Sequence, residues 1–529
     1  MMKMFGSFLA FVLVIVVDAI SSANGANIII SLLVPGESSH AKGMSAIGGA
    51  LTRRGHNVTI LTSSTVGTKG FQKDDYNKAV QYKFQLPPDM PDMETLEQDF
   101  INLAFESDLK KKVKVMGMIF SVMRTGCQSL LDDSATLTLL KESTFDILIG
   151  DSFDGCDALL SSYLGIPFIA VTTGTRYPLF NEHTYGVPTP SSYVPFGFFP
   201  FSDKMSFCER VGSFLEHHLI AKLLGWSHFG ALNEVKDKHG IAPGRSIPDL
   251  LGEAELWMCM TSFAFDFPRP TTPNWIELKG LTDIPVKPLP QDYADFVDGS
   301  GDHGFIVFSL GTHFSELPKP GMAEAFARVF SELPQRVIWR YTGPRPRYLG
   351  NNTMLVKWMP QNDLLGHPKA RLLIYHGGLA GIYEAISHAV PMVIMPIFAD
   401  QPSNAVRVEA KGMGRVIEKD SITYETVKEA VVDVLENPSY LENIRRYSGI
   451  YRDSITKPDD VVVFWVEHIL KFGGSHLRSR ALELSFIQLH SIDVLAFIVG
   501  IIAVIVFLLY TCCKRCLSCC LKSKKTKIE

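Results

Sequence analysis

The chain has 529 residues, of which 46% are hydrophobic and 20% charged, and its formal net charge is −4. That length exceeds what one compact core holds and favours two or three domains. The slightly acidic balance gives the chain no electrostatic reason to bind nucleic acid, and much of the apolar excess sits at the two ends.

At the N-terminus, Met1, Met2 and Lys3 precede an apolar run from Met4 to Val17, and the small residues Ser21, Ser22 and Ala23 follow. One positive charge, a short apolar run and a small-residue exit predict a cleaved secretory signal over residues 1–23. The alternative is an uncleaved anchor, for which the run is short.

Residues 24–285 are expected to form a first α/β domain. Ala26–Val34 is a continuous apolar stretch, the profile of a strand covered on both faces. A polar loop, Pro35–His40, leads to a helical stretch Met44–Arg54 capped by Gly55, and Val58–Leu61 resumes as a strand. Phe145–Gly150 reads as another buried strand running into Asp151, with a helix at Cys156–Leu164 and a strand at Ile166–Val171. Residues 177–201 are dense in Tyr177, Phe180, Tyr185, Tyr193, Phe196, Phe198, Phe199 and Phe201. They form either an irregular packing cluster or an apolar wall for a hydrophobic ligand or the membrane.

A Pro-rich connection, Ile284–Gln291, opens the second domain, residues 286–490. Gly299–Gly304 matches a dinucleotide-binding glycine pattern but precedes a strand instead of following one, so it is a chance match. Strands are expected at Phe305–Leu310, Val337–Arg340, Met354–Lys357, Arg371–Tyr375 and Pro391–Met395, with helices between them. Val461–Phe472 reads as an amphipathic helix crossing back toward the first domain.

Val494–Cys513 is about twenty residues without a charge, long enough to span hydrocarbon. The basic tail, residues 514–529, places Lys514, Arg515, Lys522, Lys524, Lys525 and Lys527 on the cytosolic side and predicts a type I topology. Lys525 and Lys527, five and three places from the end, resemble a dilysine signal for retrieval to the endoplasmic reticulum. Five of the nine cysteines (Cys512, Cys513, Cys516, Cys519, Cys520) lie at that edge, as candidates for palmitoylation. Cys127, Cys156, Cys208 and Cys259 are too sparse for a disulfide scaffold. Of two sequons, Asn57 falls in an expected buried strand, whereas Asn351 lies between elements.

The segment from Trp358 to Gln401 concentrates the chemistry. His376-Gly377-Gly378 sits between a buried strand and a helix, where glycine admits a ligand and the helix N-terminus offers free N–H groups to an anion. His376 adds a donor for a phosphate oxygen, and Glu384, a turn later, can accept two ribose hydroxyls. Trp358 offers a flat face to a base, and Asp400 and Gln401 can bond sugar hydroxyls.

At these residues the chain resembles the UDP-glycosyltransferase family, the animal UDP-glucuronosyltransferase-like enzymes. The resemblance extends through Pro190–Pro195, Phe308–Thr312 and Trp339–Gly343. It implies the GT-B fold, two Rossmann-like domains facing across a cleft, and inverting transfer of a hexosyl group from a UDP-sugar to a small lipophilic acceptor. It implies no cofactor and no metal, and this chain has no Asp-x-Asp. Carried over position by position, the UDP-sugar would meet Thr312, Arg340, Trp358, Gln361, His376, Gly377, Gly378, Gly381, Glu384, Asp400 and Gln401. His40 would be the general base and Asp151 its partner, with Asp151 fixing the tautomer and stabilising the imidazolium. The resemblance, with the tail signal, further implies an endoplasmic-reticulum membrane protein with lumenal catalytic domains, acting in detoxification, and leaves a homo-oligomer open.

Two positions depart from the family. Ala380 stands where Asn or His usually supports the diphosphate, and Met260 aligns with an Arg credited with pairing a glucuronate carboxylate. A methionine cannot supply that charge, so a neutral donor, UDP-glucose before UDP-glucuronate, is expected. A fold-retaining subunit without turnover and a nicotinamide oxidoreductase are the rival readings. The second lacks a phosphate fingerprint, since Pro35–Lys42 holds one glycine.

Overall fold

The computed structural model describes residues 25–33, 39–88, 90–106, 108–152, 155–174, 184, 186–197, 199–312, 314–319 and 321–525. The expected signal segment, loop residues 34–38, Tyr177, Phe180, Tyr185, Phe198 and residues 526–529 of the tail lie outside them. The chain divides into two compact units, Met1–Arg478 and Ser479–Glu529.

The first unit contains two parallel sheets. β1 (Asn27–Ser31), β2 (Asn57–Ser63), β3 (Lys78–Tyr82), β4 (Ile147–Asp151), β5 (Phe168–Thr172), β6 (Trp257–Cys259) and β7 (Trp275–Glu277) form one, in the order β3-β2-β1-β4-β5-β6-β7. β8 (Phe305–Ser309), β9 (Arg336–Arg340), β10 (Thr353–Val356), β11 (Ala370–Tyr375), β12 (Met392–Ile394) and β13 (Gly414–Val416) form the other, in the order β10-β9-β8-β11-β12-β13. β1, β4, β5 and β8 are buried along nearly their whole length, as helices on both faces of a sheet require. In each sheet the strand order reverses once, between β1 and β4 and between β8 and β11. Such switch points leave a crevice at the carboxyl ends of the strands.

Several expectations shift in detail. His40 is not in a loop: the helix begins at Ser39 and runs to Arg54, so His40 stands in its first turn. Asp151 is itself the last residue of β4. Asn57 is exposed at the head of β2, with its amide donating to Asn27 Oδ1 at 2.8 Å, while the strand behind it is buried. Asn351 is exposed in the turn before β10. Cys127 of the Leu109–Asp132 helix forms a disulfide with Cys156 of the Cys156–Leu164 helix. Closing 29 residues of chain removes denatured-state entropy worth about 3–4 kcal/mol. Replacing both cysteines by serine is expected to lower the thermal-inactivation temperature clearly; unchanged heat resistance would show that the loop needs no tether.

The helix Pro458–Phe472 does cross to the first sheet. Val462, Val466 and Ile469 are buried in one core cluster with Met44, Ile47 and Leu51 of the His40 helix. Arg53 and Arg54 donate to Asp459 (2.7 Å) and Glu467 (2.9 Å) along the seam. In return, Ala104 and Phe105 of the first half join the core of the second, where Phe105 meets Phe314 edge-on at 5.5 Å.

The second unit contains a helix, Ile492–Lys525. Its stretch Ile492–Ser518 is long and apolar enough to cross a membrane and contains the expected span.

Candidate active site

Both switch points are occupied by chemistry. At the first, β4 delivers Asp151 and the helix after β1 delivers His40, which are 111 residues apart in sequence. His40 Nδ1 is hydrogen-bonded to Asp151 Oδ2, and His40 Nε2 lies 3.2 Å from the Thr173 hydroxyl beyond β5. The Asp151 carboxylate is fully buried, while the imidazole keeps 19% of its surface exposed. Burial pulls the His40 pKa down, but the attraction and hydrogen bond of Asp151, joined by the charge of Asp400, outweigh it and hold the ring above its ordinary 6.5. Asp400 is the N-cap of the helix Gln401–Ala410 that follows β12 of the second sheet, so its charge reaches His40 across the crevice.

At the second switch point the chain turns sharply after β8 and after β11. Gly311 has a φ of +79°, and a Cβ there would sit 2.5 Å from His376 Cε1. The imidazole of His376 therefore lies flat on a glycine surface. Gly377, at φ +91°, carries the turn into the helix Leu379–His388. Gly378 is that helix's N-cap and provides no side-chain cap, so the first-turn N–H groups keep the partner-seeking character of a helix start. Gly381 packs on the Tyr375 ring, and Ala380 lies between these two glycines.

Around this turn the remaining expected residues divide into two groups. Trp358 is 68% exposed, its ring free while its carbonyl accepts the Tyr293 hydroxyl. Gln361 donates to Glu384 Oε2 at 2.7 Å. Burial raises the Glu384 pKa against the opposing pull of Lys42, from the first turn of the His40 helix, and of the Gln361 bond. Thr312 is exposed on the turn after β8. Asp400 is open to solvent, and its carboxylate accepts from Asn404 at 2.8 Å.

Two of the expected site residues bond the main chain. Arg340 donates to the carbonyls of Gly311, Thr312 (3.1 Å) and Lys357 (3.2 Å), bracing the turn that Thr312 sits on. Gln401 is buried, and its Oε1 accepts from the N–H groups of Ile397 (2.9 Å) and Phe398 (3.1 Å). It thereby fixes the loop in which Ala399 adopts a left-handed φ of +55° beside Asp400. Asn404 was not anticipated from the sequence: its amide reaches both the Gly377 carbonyl (3.0 Å) and Asp400, tying the glycine turn to the acid. Its place four residues after Asp400, one helical turn on, was the available signal. Thr173 and Lys42, which face the site from the other lobe, gave none.

Beneath Asp400 the lobes are held by a buried charge cluster. Arg407 lies 3.3 Å from Asp266, which also pairs with Arg269 at 3.6 Å, and Arg407 donates to Ser403 at 2.7 Å. Nearby, Tyr383 of the second lobe accepts the Ser262 N–H of the first at 2.8 Å. Met260 is buried in the first lobe's core, its thioether packed on Gly43 of the His40 helix.

Comparison with known proteins agrees with this architecture. The profile of the family described as "UDP-glucoronosyl and UDP-glucosyl transferase" matches residues 30–527. Human UDP-glucuronosyltransferase 1A6 is 36% identical over 501 residues, 92% of each chain. The mouse protein of that name is 38% identical over 497 residues, 91% of this chain and 90% of its own. Among solved structures, a glycotransferase of kitacinnamycin superposes with a TM-score of 0.58 at 19% identity, covering 84% of this chain and 99% of that one. A UDP-glucose:anthocyanidin 3-O-glucosyltransferase in complex with UDP gives 0.57 at 13% identity, covering 85% and 99%. The chain belongs to the UDP-glucuronosyl and UDP-glucosyl transferase family and is a UDP-glycosyltransferase of GT-B fold.

Proposed function

We propose that this enzyme transfers a hexosyl group, with inversion, from a UDP-sugar to a hydroxyl or amine of a small lipophilic acceptor. The observation that carries the reading is the His40–Asp151 pair at one switch point, facing the Gly377–Gly378 turn and Asp400 at the other. Asp151 holds the proton on Nδ1 and leaves Nε2 basic, so the acceptor hydroxyl takes the place of Thr173 at that nitrogen. As the acceptor proton passes to Nε2, its oxygen bonds to the anomeric carbon, the bond to the diphosphate breaks and UDP departs. The first-turn N–H groups of the Leu379–His388 helix, His376 and the Thr312 hydroxyl stabilise the departing charge. Gln361 and Glu384 receive the ribose, Trp358 stacks on the base, and Asp400 bonds the hexose. Gly377 and Gly381 give the backbone close approach, while Arg340 and Gln401 act through the loops they brace. With Ala380 offering no polar group, diphosphate binding falls to the backbone. The chemistry calls for no metal or other cofactor.

UDP-glucose is the preferred donor in this reading. Met260 brings only a buried thioether to its position, and a glucuronate carboxylate left unpaired there is costly. Turnover of one phenolic acceptor with UDP-glucose and with UDP-glucuronate, on the full-length protein in microsomes, tests this. Faster transfer from UDP-glucose is expected, and a preference for UDP-glucuronate would overturn the donor assignment. The apolar helix Ile492–Ser518, its basic flank and the Cys127–Cys156 disulfide support a type I protein of the endoplasmic-reticulum membrane with lumenal catalytic lobes.

A further inference from the structure

Lys419 follows β13 in the second lobe and is only 6% exposed, a lysine carried into the interior. A buried ammonium is costly unless its N–H groups find acceptors. Here Nζ donates to the carbonyls of Ala104 (2.5 Å), Glu106 (3.1 Å) and Ile397 (2.8 Å), which its three protons can serve together. The first two belong to the other lobe. Ala104 is the last residue of the helix Met93–Ala104, and the negative pole of the helix dipole favours a cation at that end. Ile397 lies in the loop between β12 and the helix Gln401–Ala410, the loop that ends on Asp400.

That loop is gripped from several sides. The peptide unit joining Ile397 to Phe398 gives its carbonyl to Lys419 and its N–H to Gln401 Oε1. The Phe398 ring stands edge-on to Phe100 of the Met93–Ala104 helix at 4.8 Å and to Phe314 at 5.7 Å. Phe100 also stacks on Phe314 at 6.0 Å, and a bridge between Leu310 and Phe314 closes the turn that carries Thr312. A helix of the first lobe therefore backs both loops of the second switch point. Ala399, next in the chain, keeps its left-handed φ of +55° only where the surroundings enforce it. We propose that Lys419 is a positioning residue for the hexose of the donor: it pins the loop Ile397–Asp400 to the first lobe, and with it the carboxylate that meets the sugar. This rests on the reading that Asp400 bonds the hexose.

Lys419→Met keeps the apolar stem and removes the donors. With full-length protein in microsomes and the UDP-hexose it turns over faster, the donor KM is expected to rise by about ten- to a hundredfold, the worth of hydrogen bonds to a charged group. The inhibition constant of UDP, which has no hexose, should stay at the wild-type value. A variant that melts lower but keeps the donor KM would overturn the proposal, since Lys419 would then only brace the lobes. So would a rise in the UDP constant equal to that in KM, because the whole nucleotide site would have loosened. If Lys419→Met does not accumulate as folded protein, Phe100→Leu withdraws the ring behind Phe398 without disturbing a charge. The same split on a smaller scale is expected there, and an unchanged donor KM would overturn the proposal. Asp400→Asn separates the two readings. A raised KM in it beside a normal one in Lys419→Met ends the positioning role and leaves Asp400 in the hexose site. A normal KM in Asp400→Asn removes the acid from that site, and the proposal falls with it.

Discussion

His40→Ala is expected to lower kcat/KM by about a hundred- to ten-thousand-fold, the range a positioned general base contributes, while UDP binding stays near that of the wild type. The ring stands beside the first sheet and the Gly377–Gly378 turn follows a strand of the second, so removing the imidazole leaves the proposed diphosphate contacts in place. The pH profile gives an independent signature. Burial lowers the His40 pKa, but Asp151 and Asp400 together raise it above 6.5. With the neutral ring as the proposed base, kcat/KM should climb with pH through an apparent pKa above that value. In Asp151→Asn the burial contribution is no longer opposed by that charge, so the acid limb should move down in pH as the rate falls. The linked stability has the opposite sense: a raised histidine pKa stabilises fully below the unfolded value and ceases to as pH rises through the folded one. Near-normal turnover in His40→Ala would remove this residue from the mechanism.

Arg407→Met is expected to be the most damaging single change to stability, costing about 3–5 kcal/mol, because it leaves the Asp266 carboxylate poorly compensated in a dry setting. Both side chains are almost fully buried, at 6% and 3% exposure, so solvent screening does little to soften the loss. Arg407→Lys should rescue only part of it, since an ammonium cannot reach Asp266 and the Ser403 hydroxyl together with the planar fork of arginine. The informative contrast is a triple apolar replacement of Asp266, Arg269 and Arg407, which removes every charge together and should be better tolerated than the single change. Thermal shift assays of the three variants decide this. An Arg407→Met protein melting with the wild type would show that the cluster does not hold the lobes.

The sheets were legible because a parallel strand covered on both faces must be apolar throughout, and Ile28–Ile30, Ile147–Ile149 and Phe305–Phe308 are. Short edge strands such as β7 and β13 bury too few residues to give such a run, and they were not seen. The start of the His40 helix was misplaced because its first turn, Ser39 to Lys42, is polar or small and lacks the apolar period that marks a helix. The strand-to-helix glycine turn was legible where residue type and turn coincide, at His376-Gly377-Gly378. What escaped was direction. Neither Arg340 nor Gln401 advertises in sequence that it bonds main-chain carbonyls or N–H groups, and Asn404 looks like any polar helix residue until Gly377 is seen above it.

The helix Pro458–Phe472 gives the order of synthesis a structural meaning. The lobe that leaves the ribosome first contains the helix bearing His40, yet Val462, Val466 and Ile469 complete the core beneath that helix. While the rest of the chain is being translated, Met44, Ile47 and Leu51 lack that cover. A nascent chain cut short before this segment would therefore present an unfinished hydrophobic surface to the quality-control machinery, however well its second sheet had formed.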